Sequence, residues 1–218
     1  MFRLCSGVGL YSMRRDNVSA DTELEYNLKF FTQFIINPAR TGAILPSSDR
    51  LCEFMTDLAG LGDVTTVIEL GSGTGVITEK IMRKKGESTT FFALEINPAF
   101  VDATKRKCPD AVVYQSSAEN IMKHLEMHGE NGCDRIISSL PWSTFNGETQ
   151  QLILDSIYDV LKPGGIFLTY AYVLGVVAPA AWRFKKKLYA KFDTVKTSRI
   201  VWSNIPPAFI YICEKAPR

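Results

Sequence analysis

Val67-Ile-Glu-Leu-Gly-Ser-Gly-Thr-Gly-Val-Ile-Thr78, followed by Leu94-Glu95-Ile96-Asn97, decides how this chain folds. An apolar strand runs into a turn with glycines at 71, 73 and 75. A helix then opens, and Glu95 ends the next apolar run. Glycines let a backbone approach a ligand closely, and a helix N-terminus offers unpaired N–H groups. A carboxylate about 20 residues further on can accept both hydroxyls of a ribose. The stretch therefore points to an adenosine-containing cofactor. The dinucleotide fingerprint G-x-G-x-x-G is not met, because Val76 stands at its sixth position and the extra glycine is Gly75.

Outward from this turn, strands and helices alternate. Strands are expected near 66–70, 90–95, 111–115, 134–139 and 165–172, and helices near 75–84, 98–107, 118–127 and 148–161. Asn97 before Pro98 reads as a helix cap with proline at the first helical position. Such alternation implies a parallel sheet covered on both faces. A helix near 179–191 and two strands near 195–202 and 208–214 follow, and the last strand is expected to be antiparallel. The fold class is thus α/β, a Rossmann-like seven-stranded, mostly parallel sheet with helices on both faces. Amphipathic helices precede it: Thr22-Glu-Leu-Glu25 is a capping box ahead of an apolar stripe ending before Pro38, and a second helix runs from about Ser48 to Gly60. Residues 1–21 are expected to be loose. Residues 22–218 form one domain, with 22–60 as a helical cap and 61–218 as the core. A chain of 218 residues can bury about 70% of its unfolded surface in one such domain.

The five cysteines are scattered and lack C-x-x-C spacing, which argues for a reducing compartment rather than a disulfide framework or structural zinc. The longest near-apolar run, Ala171 to Trp182, is shorter than the about 20 residues a membrane span needs. His124 and His128 lie four apart on a helix, but Glu126 is misplaced for a zinc motif and no third ligand is evident, so they are expected at the solvent face and no metal is called for. Net charge is only +2 yet uneven: from Pro179 to Arg199, seven basic residues face one acid, Asp193. Such a segment suits an anionic partner, lipid headgroups or nucleic acid, and equally a solvated helix face.

The pattern E-x-G-x-G-x-G at Glu69 to Gly75 resembles motif I of the class I S-adenosylmethionine methyltransferases. The resemblance implies that Glu69, Gly71, Ser72, Gly73 and Gly75 hold the methionine part of S-adenosylmethionine and that Glu95, with Ile96, takes the ribose. Ala118 and Glu119, after the third strand, would lie against the adenine; alternatively Ser117 simply caps the next helix there. Ser138-Ser-Leu-Pro-Trp142 ends the fourth strand and is similar to the Asn/Asp-Pro-Pro-Tyr type of motif IV in amino-group methyltransferases, although Ser139 replaces the first Asn/Asp. Ser138, Ser139 and Pro141 should then face the transferred methyl, Ser138 also touching the cofactor, while Trp142 walls the pocket. The candidates for taking the amine's proton are the Ser138 and Ser139 hydroxyls, backbone carbonyls near Pro141 and a tyrosine such as Tyr11 or Tyr26.

Two more stretches, Phe30 to Ser48 with Pro38-x-x-x-Gly42-Ala-x-x-Pro46-Ser-Ser48, and Trp202-Ser-Asn-Ile-Pro-Pro-Ala208, resemble the bacterial phospholipid N-methyltransferases of the phosphatidylethanolamine type. That resemblance covers about residues 28 to 214. It implies transfer of methyl to an aminophospholipid amine by a cytoplasmic enzyme peripherally bound to the inner face of an anionic membrane. Arg183, Lys185, Lys186 and Lys187 would contact that surface, and the 24–36 helix either lies in the headgroups or packs as core. The rivals are an RNA adenine methyltransferase of the dimethylase type, disfavoured because the side-chain amide of its motif is absent here, and a non-catalytic membrane-associated cofactor sensor. The sequence is silent on oligomeric state.

Overall fold

The structure is a computed structural model and describes residues 48–217. The 1–21 segment, the helix expected over 24–36 with Tyr26, and Pro38 to Ser47 lie outside the described residues. The chain runs α1 (Asp49–Ala59), β1 (Thr66–Leu70), α2 (Val76–Lys84), β2 (Thr90–Glu95), α3 (Pro98–Lys107), β3 (Val113–Gln115), α4 (Ile121–Met127), β4 (Cys133–Ser138), α5 (Gly147–Val160), β5 (Leu161–Tyr172), α6 (Pro179–Lys191), β6 (Thr194–Thr197) and β7 (Ala208–Glu214). The strands form one sheet in the order β3-β2-β1-β4-β5-β7-β6. Strands β1 to β5 are parallel, and β7 runs antiparallel to both β5 and β6. The fold is Rossmann-like, as expected.

Successive side chains of a strand point to opposite faces, so each central strand feeds two cores. Val67, Phe91, Ala93, Ile137 and Leu168 pack with Leu51, Met55, Ile77, Ile81 and Val101 from α1, α2 and α3. Ile68, Leu70, Phe92, Leu94, Ile136 and Phe167 pack with Ile121, Leu125, Leu154, Ile157, Phe184 and Leu188 from α4, α5 and α6. Each such aliphatic or aromatic side chain contributes about 1.5–3 kcal/mol on leaving water. The order reverses between β1 and β4, where β2 and β3 run one way and β5 the other. That seam opens a crevice beyond the strand ends.

Local chemistry sets the boundaries. Ser48 caps α1 by accepting from Leu51 N at 3.3 Å, and Gly60 ends it in the left-handed region. Asn97 caps α3 by accepting from Ala99 N at 2.9 Å. Four expectations are corrected. The helix expected over 118–127 is a 3-10 turn at Ala118–Asn120 followed by α4. The third strand is shorter than 111–115, starting at Val113. β5 begins at Leu161 rather than 165, its register against β4 shifting between Cys133 and Arg135 as Lys162-Pro-Gly-Gly165 bends, with Gly164 at φ 75°. The strand expected over 195–202 stops at Thr197, and only the single bridge between Val201 and Ala208 continues the pairing.

The histidines are also corrected. His124 is buried, its ring 4.4 Å from that of Tyr114. His128 stacks on Phe92 with centroids 5.0 Å apart, its Nε2 within 3.1 Å of the Tyr114 hydroxyl. They close an aromatic cluster against β2 and β3, because α4 turns that face to the sheet. Burial holds the His124 ring below the usual imidazole range. Among the described residues no helix is long and apolar enough to cross a membrane.

Phe92→Ala removes a fully buried ring from the centre of that cluster. A stability loss of about 3–5 kcal/mol is expected in urea titrations. A loss below about 1 kcal/mol would show that the cluster is not tightly packed.

Candidate active site

Two turns meet at the seam. β1 ends at Leu70, and the glycine turn carries the chain into α2 with Gly71, Gly73 and Gly75 at φ 84°, 55° and 79°. β4 ends at Ser138, whose neighbour Ser139 donates its N–H to Leu70 O at 3.0 Å. The Ser139 hydroxyl donates to the Gly71 carbonyl. A Cβ on Gly71 would sit 3.1 Å from Ser139 Oγ and 3.2 Å from Leu140 Cδ2. Gly71 is therefore required twice, for its left-handed backbone and for the close approach of the β4 loop.

The turn is also tied to α3. Thr104 Oγ1 lies 3.0 Å from both Ser72 Oγ and the Gly73 carbonyl. Thr104 escaped the sequence reading, since a threonine one helix away in the chain carries no motif. Gly73 faces open space on its Cα side, and its N–H donates to Glu95 Oε2 at 3.0 Å. Asn97 N donates to Glu95 Oε1 at 2.9 Å. The Glu95 carboxylate is thus held by two backbone donors at the end of β2, with lone pairs left over for hydroxyls. Burial raises its affinity for protons, and the N–H groups of Asn97, Gly73 and Ile96 oppose that.

Glu69 lies beneath the turn, fully buried on β1. Its Oε2 accepts from Thr78 Oγ1 at 2.6 Å, while Oε1 is buried with no partner among the described residues. Burial pushes its pKa up to about 8, opposed by the Thr78 bond and reinforced by the charge of Glu95. An orphaned acceptor below an open glycine turn, beside a second buried carboxylate, fits a cofactor bearing an amino group, a cationic sulfur and a ribose.

On the far side, Ala118 is buried at the head of its 3-10 turn, and Ser117 Oγ accepts from Glu119 N at a long 3.4 Å. Ser116 N donates to Glu95 O at 3.0 Å, which brings this turn to the end of β2. Ile96 is half-buried there.

In the β4 loop, Ser138 is fully buried, its Oγ accepting from Leu140 N at 3.2 Å and its carbonyl accepting from Thr169 Oγ1 at 3.1 Å. Both serine hydroxyls are therefore committed to holding the loop. Pro141 is half-buried. Trp142, expected to wall the pocket, is instead buried beneath the loop. Its Nε1 donates to Thr169 Oγ1 at 3.0 Å, and its ring stacks on Phe184 with centroids 4.4 Å apart. An indole buries a large apolar area and needs one partner for its N–H, and this site supplies both. Gln150, also missed from sequence, is buried and donates to Trp142 O at 2.7 Å. Its position on the inner face of α5 is visible only in the packed structure.

Residues 67–165 match the family model described as a methyltransferase domain. The ornithine lipid N-methyltransferase of Singulisphaera acidiphila is 24% identical over 188 residues, covering 85% of this chain and 94% of that protein. A probable ribosomal RNA small subunit methyltransferase A of Methanococcoides burtonii is 23% identical over 152 residues, covering 70% of this chain and 48% of that protein. Among solved structures, an O-methyltransferase from Bacillus cereus in complex with S-adenosylhomocysteine superposes with a TM-score of 0.65 at 16% identity, covering 92% of this chain and 94% of that one. Residues 67–165 are thus a methyltransferase domain on a Rossmann-like sheet, and the open glycine turn with Glu69 and Glu95 fits S-adenosylmethionine. The chain is accordingly a methyltransferase whose cofactor is S-adenosylmethionine.

Three outcomes test the site. Glu95→Ala should weaken S-adenosylmethionine binding by about 1.5–3 kcal/mol in calorimetry; unchanged affinity would remove Glu95 from the cofactor site. Gly71→Ala should abolish measurable binding in the same assay, because the turn and the β4 loop cannot both keep their positions. The third concerns pH. Glu69 has a folded pKa of about 8, above its ordinary 4.5, so its contribution to stability is complete below about pH 4.5 and is lost as pH rises toward 8. Relative to Glu69→Gln, the cofactor-free wild type should lose stability by up to about 1.4 kcal/mol per pH unit across that window. A difference in melting temperature that stays constant from pH 5 to 9 would contradict it.

Proposed function

We infer that this methyltransferase acts on the amine of a membrane aminolipid, such as an aminophospholipid headgroup. The observation that carries this reading is the junction of the two outer motifs. Ser48, the last residue of the first motif, donates its N–H to Asn204 Oδ1 at 2.7 Å. Asn204 is buried, and its amide donates to the Pro206 carbonyl at 2.6 Å. The stretches that resemble lipid N-methyltransferases are thus bonded to each other, across 156 residues of chain, at the end of the sheet where the crevice opens. The similarity to the Singulisphaera enzyme, which runs nearly the full length of both chains and carries a lipid amine in its name, supports the same reading.

Chemistry sets what the site must do. S-adenosylmethionine, when bound, supplies an electrophilic methyl on a sulfonium. An amine like that of lysine titrates near ~10.4, so freeing its lone pair at neutral pH costs about 4–5 kcal/mol. The Ser138 and Ser139 hydroxyls are each bonded within the loop, Ser138 Oγ as an acceptor and Ser139 Oγ as a donor. The Ser139 carbonyl, which accepts no bond among the described residues, can hold an amine N–H in line with the transferred methyl. Desolvation against Leu140 and Pro141 favours the neutral amine. Glu69 and Glu95 lie at the other end of the site, by the glycine turn.

The test is lipid mass spectrometry of cells expressing the chain. New mono-, di- or trimethylated aminolipids are expected, and their loss in Asn204→Leu with S-adenosylmethionine affinity retained would tie the activity to the junction. Unchanged lipids together with new methyl groups on ribosomal RNA adenines would overturn the reading in favour of the RNA relative.

A further inference from the structure

Beyond the crevice, the same end of the molecule carries an exposed apolar rim. Strands β1 and β4 end side by side, Leu70 beside Ser138, and Ser138 pairs with Thr169 of β5. β5 continues three residues further to Tyr172, roughly 10 Å past the level of the methyl-transfer turn. There the chain turns through Val173–Val177, and Tyr172 pairs with Ala208, the first residue of β7. The segment entering β7 stands beside that turn, because Val173 N donates to Pro207 O at 2.8 Å. Two segments distant in sequence thus form one edge. On it, Leu174 is 74% exposed, Val177 86%, Trp202 70% and Ile205 63%. In a folded domain, large aliphatic and indole side chains gathered so openly at one edge mark an interaction surface.

The surroundings select the partner. Next to the rim, the first turns of α6 present exposed Arg183, Lys185 and Lys186, with Lys186 Nζ 3.7 Å above the half-exposed Trp182 ring. On the other side, Arg199 lies over the Phe54 ring at 4.9 Å, and Arg50 lines the same cleft. The whole 179–199 basic cluster does not share this orientation. Lys187 donates to Gln151 at 2.7 Å, and Lys191 pairs with Asp155 at 2.7 Å, so both are turned onto α5. Aliphatic tips and tryptophans in the middle, with cations at the flanks that make no ion pair among the described residues, match a bilayer: acyl chains and interfacial region at the centre, anionic headgroups around them.

We propose that the rim formed by Leu174, Val177, Trp202 and Ile205 inserts into the interfacial layer of an anionic phospholipid membrane, flanked by Arg183, Lys185, Lys186 and Arg199. Insertion of a few ångströms at this edge turns the mouth of the crevice toward the headgroups. This inference rests on the aminolipid reading for its purpose, but its geometry is separate from the methyl-transfer site.

The test uses the full chain and vesicles of phosphatidylcholine with about 30% phosphatidylglycerol. Wild type should co-sediment with them and bind pure phosphatidylcholine vesicles much more weakly. The double variant Val177→Asp/Ile205→Asp should lose about tenfold or more in vesicle affinity, the loss expected when two aliphatic side chains no longer leave water. Its S-adenosylmethionine affinity and melting temperature should stay at wild-type values. In Trp182→Phe, where Trp202 is the exposed indole and Trp142 the buried one, emission should shift to the blue on adding vesicles. Retained vesicle binding by the double variant, the mark of a rim covered by residues 1–47 or by a protein partner, would overturn the proposal, as would an unshifted emission. A wild type that methylates a short-chain, soluble aminolipid but ignores vesicles would overturn the rim alone. One that binds vesicles through the rim but methylates no aminolipid would overturn the substrate reading and leave the rim standing.

Discussion

The site depends on how closely two backbone turns approach at one point. Where β1 gives way to its glycine turn, the Gly71 carbonyl accepts the Ser139 hydroxyl, and the Ser139 N–H reaches back to Leu70. This contact joins the cofactor side of the crevice to the acceptor side. It exists only because residue 71 has no side chain and adopts a left-handed backbone. Everything nearby is arranged around it. Thr104 fastens the turn from α3, Glu95 fastens it from β2, and Trp142 with Gln150 supports the β4 loop from below. Loosening any of these moves the donor and acceptor relative to each other, and in-line transfer is sensitive to such displacement.

Electrostatics then separates the two halves. Two carboxylates, Glu69 and Glu95, are buried on the cofactor side, and burial opposes the charged form of each. Bringing a cation and hydroxyls to them recovers interactions that the empty fold lacks, so part of the folding cost of burying acids returns as binding energy. Among the described residues, the β4 loop offers the acceptor side the Ser139 carbonyl with Leu140 and Pro141, which suits the neutral amine proposed above.

A second junction carries the specificity argument. Asn204 is almost completely buried, yet its side chain serves the backbone of a distant segment at Ser48 and of its own loop at Pro206. Such a polar residue is kept where it fixes the path of loops rather than where it adds apolar burial. It holds the start of α1 and the approach to β7 at the mouth of the crevice, beside the exposed rim.

Much of this was legible in the chain. Val67 to Thr78 announced the strand, the turn and the helix, because glycine spacing and apolar periodicity are local properties. Asn97 and Pro98 announced the α3 cap, and the strand alternation announced the sheet. Glu95 was legible because its distance from the turn is a fixed consequence of one βα unit. The other features depend on residues far apart in sequence meeting in space. His124 and His128 looked exposed because their spacing said nothing of which face α4 would bury. Trp142 looked like a pocket wall until Phe184, from another helix, covered it. Thr104, Gln150 and the exposed rim of Leu174 and Trp202 carry no local signal. Short-range backbone preferences can be read residue by residue, whereas which side chain is covered, and by what, is set only when the layers close on one another.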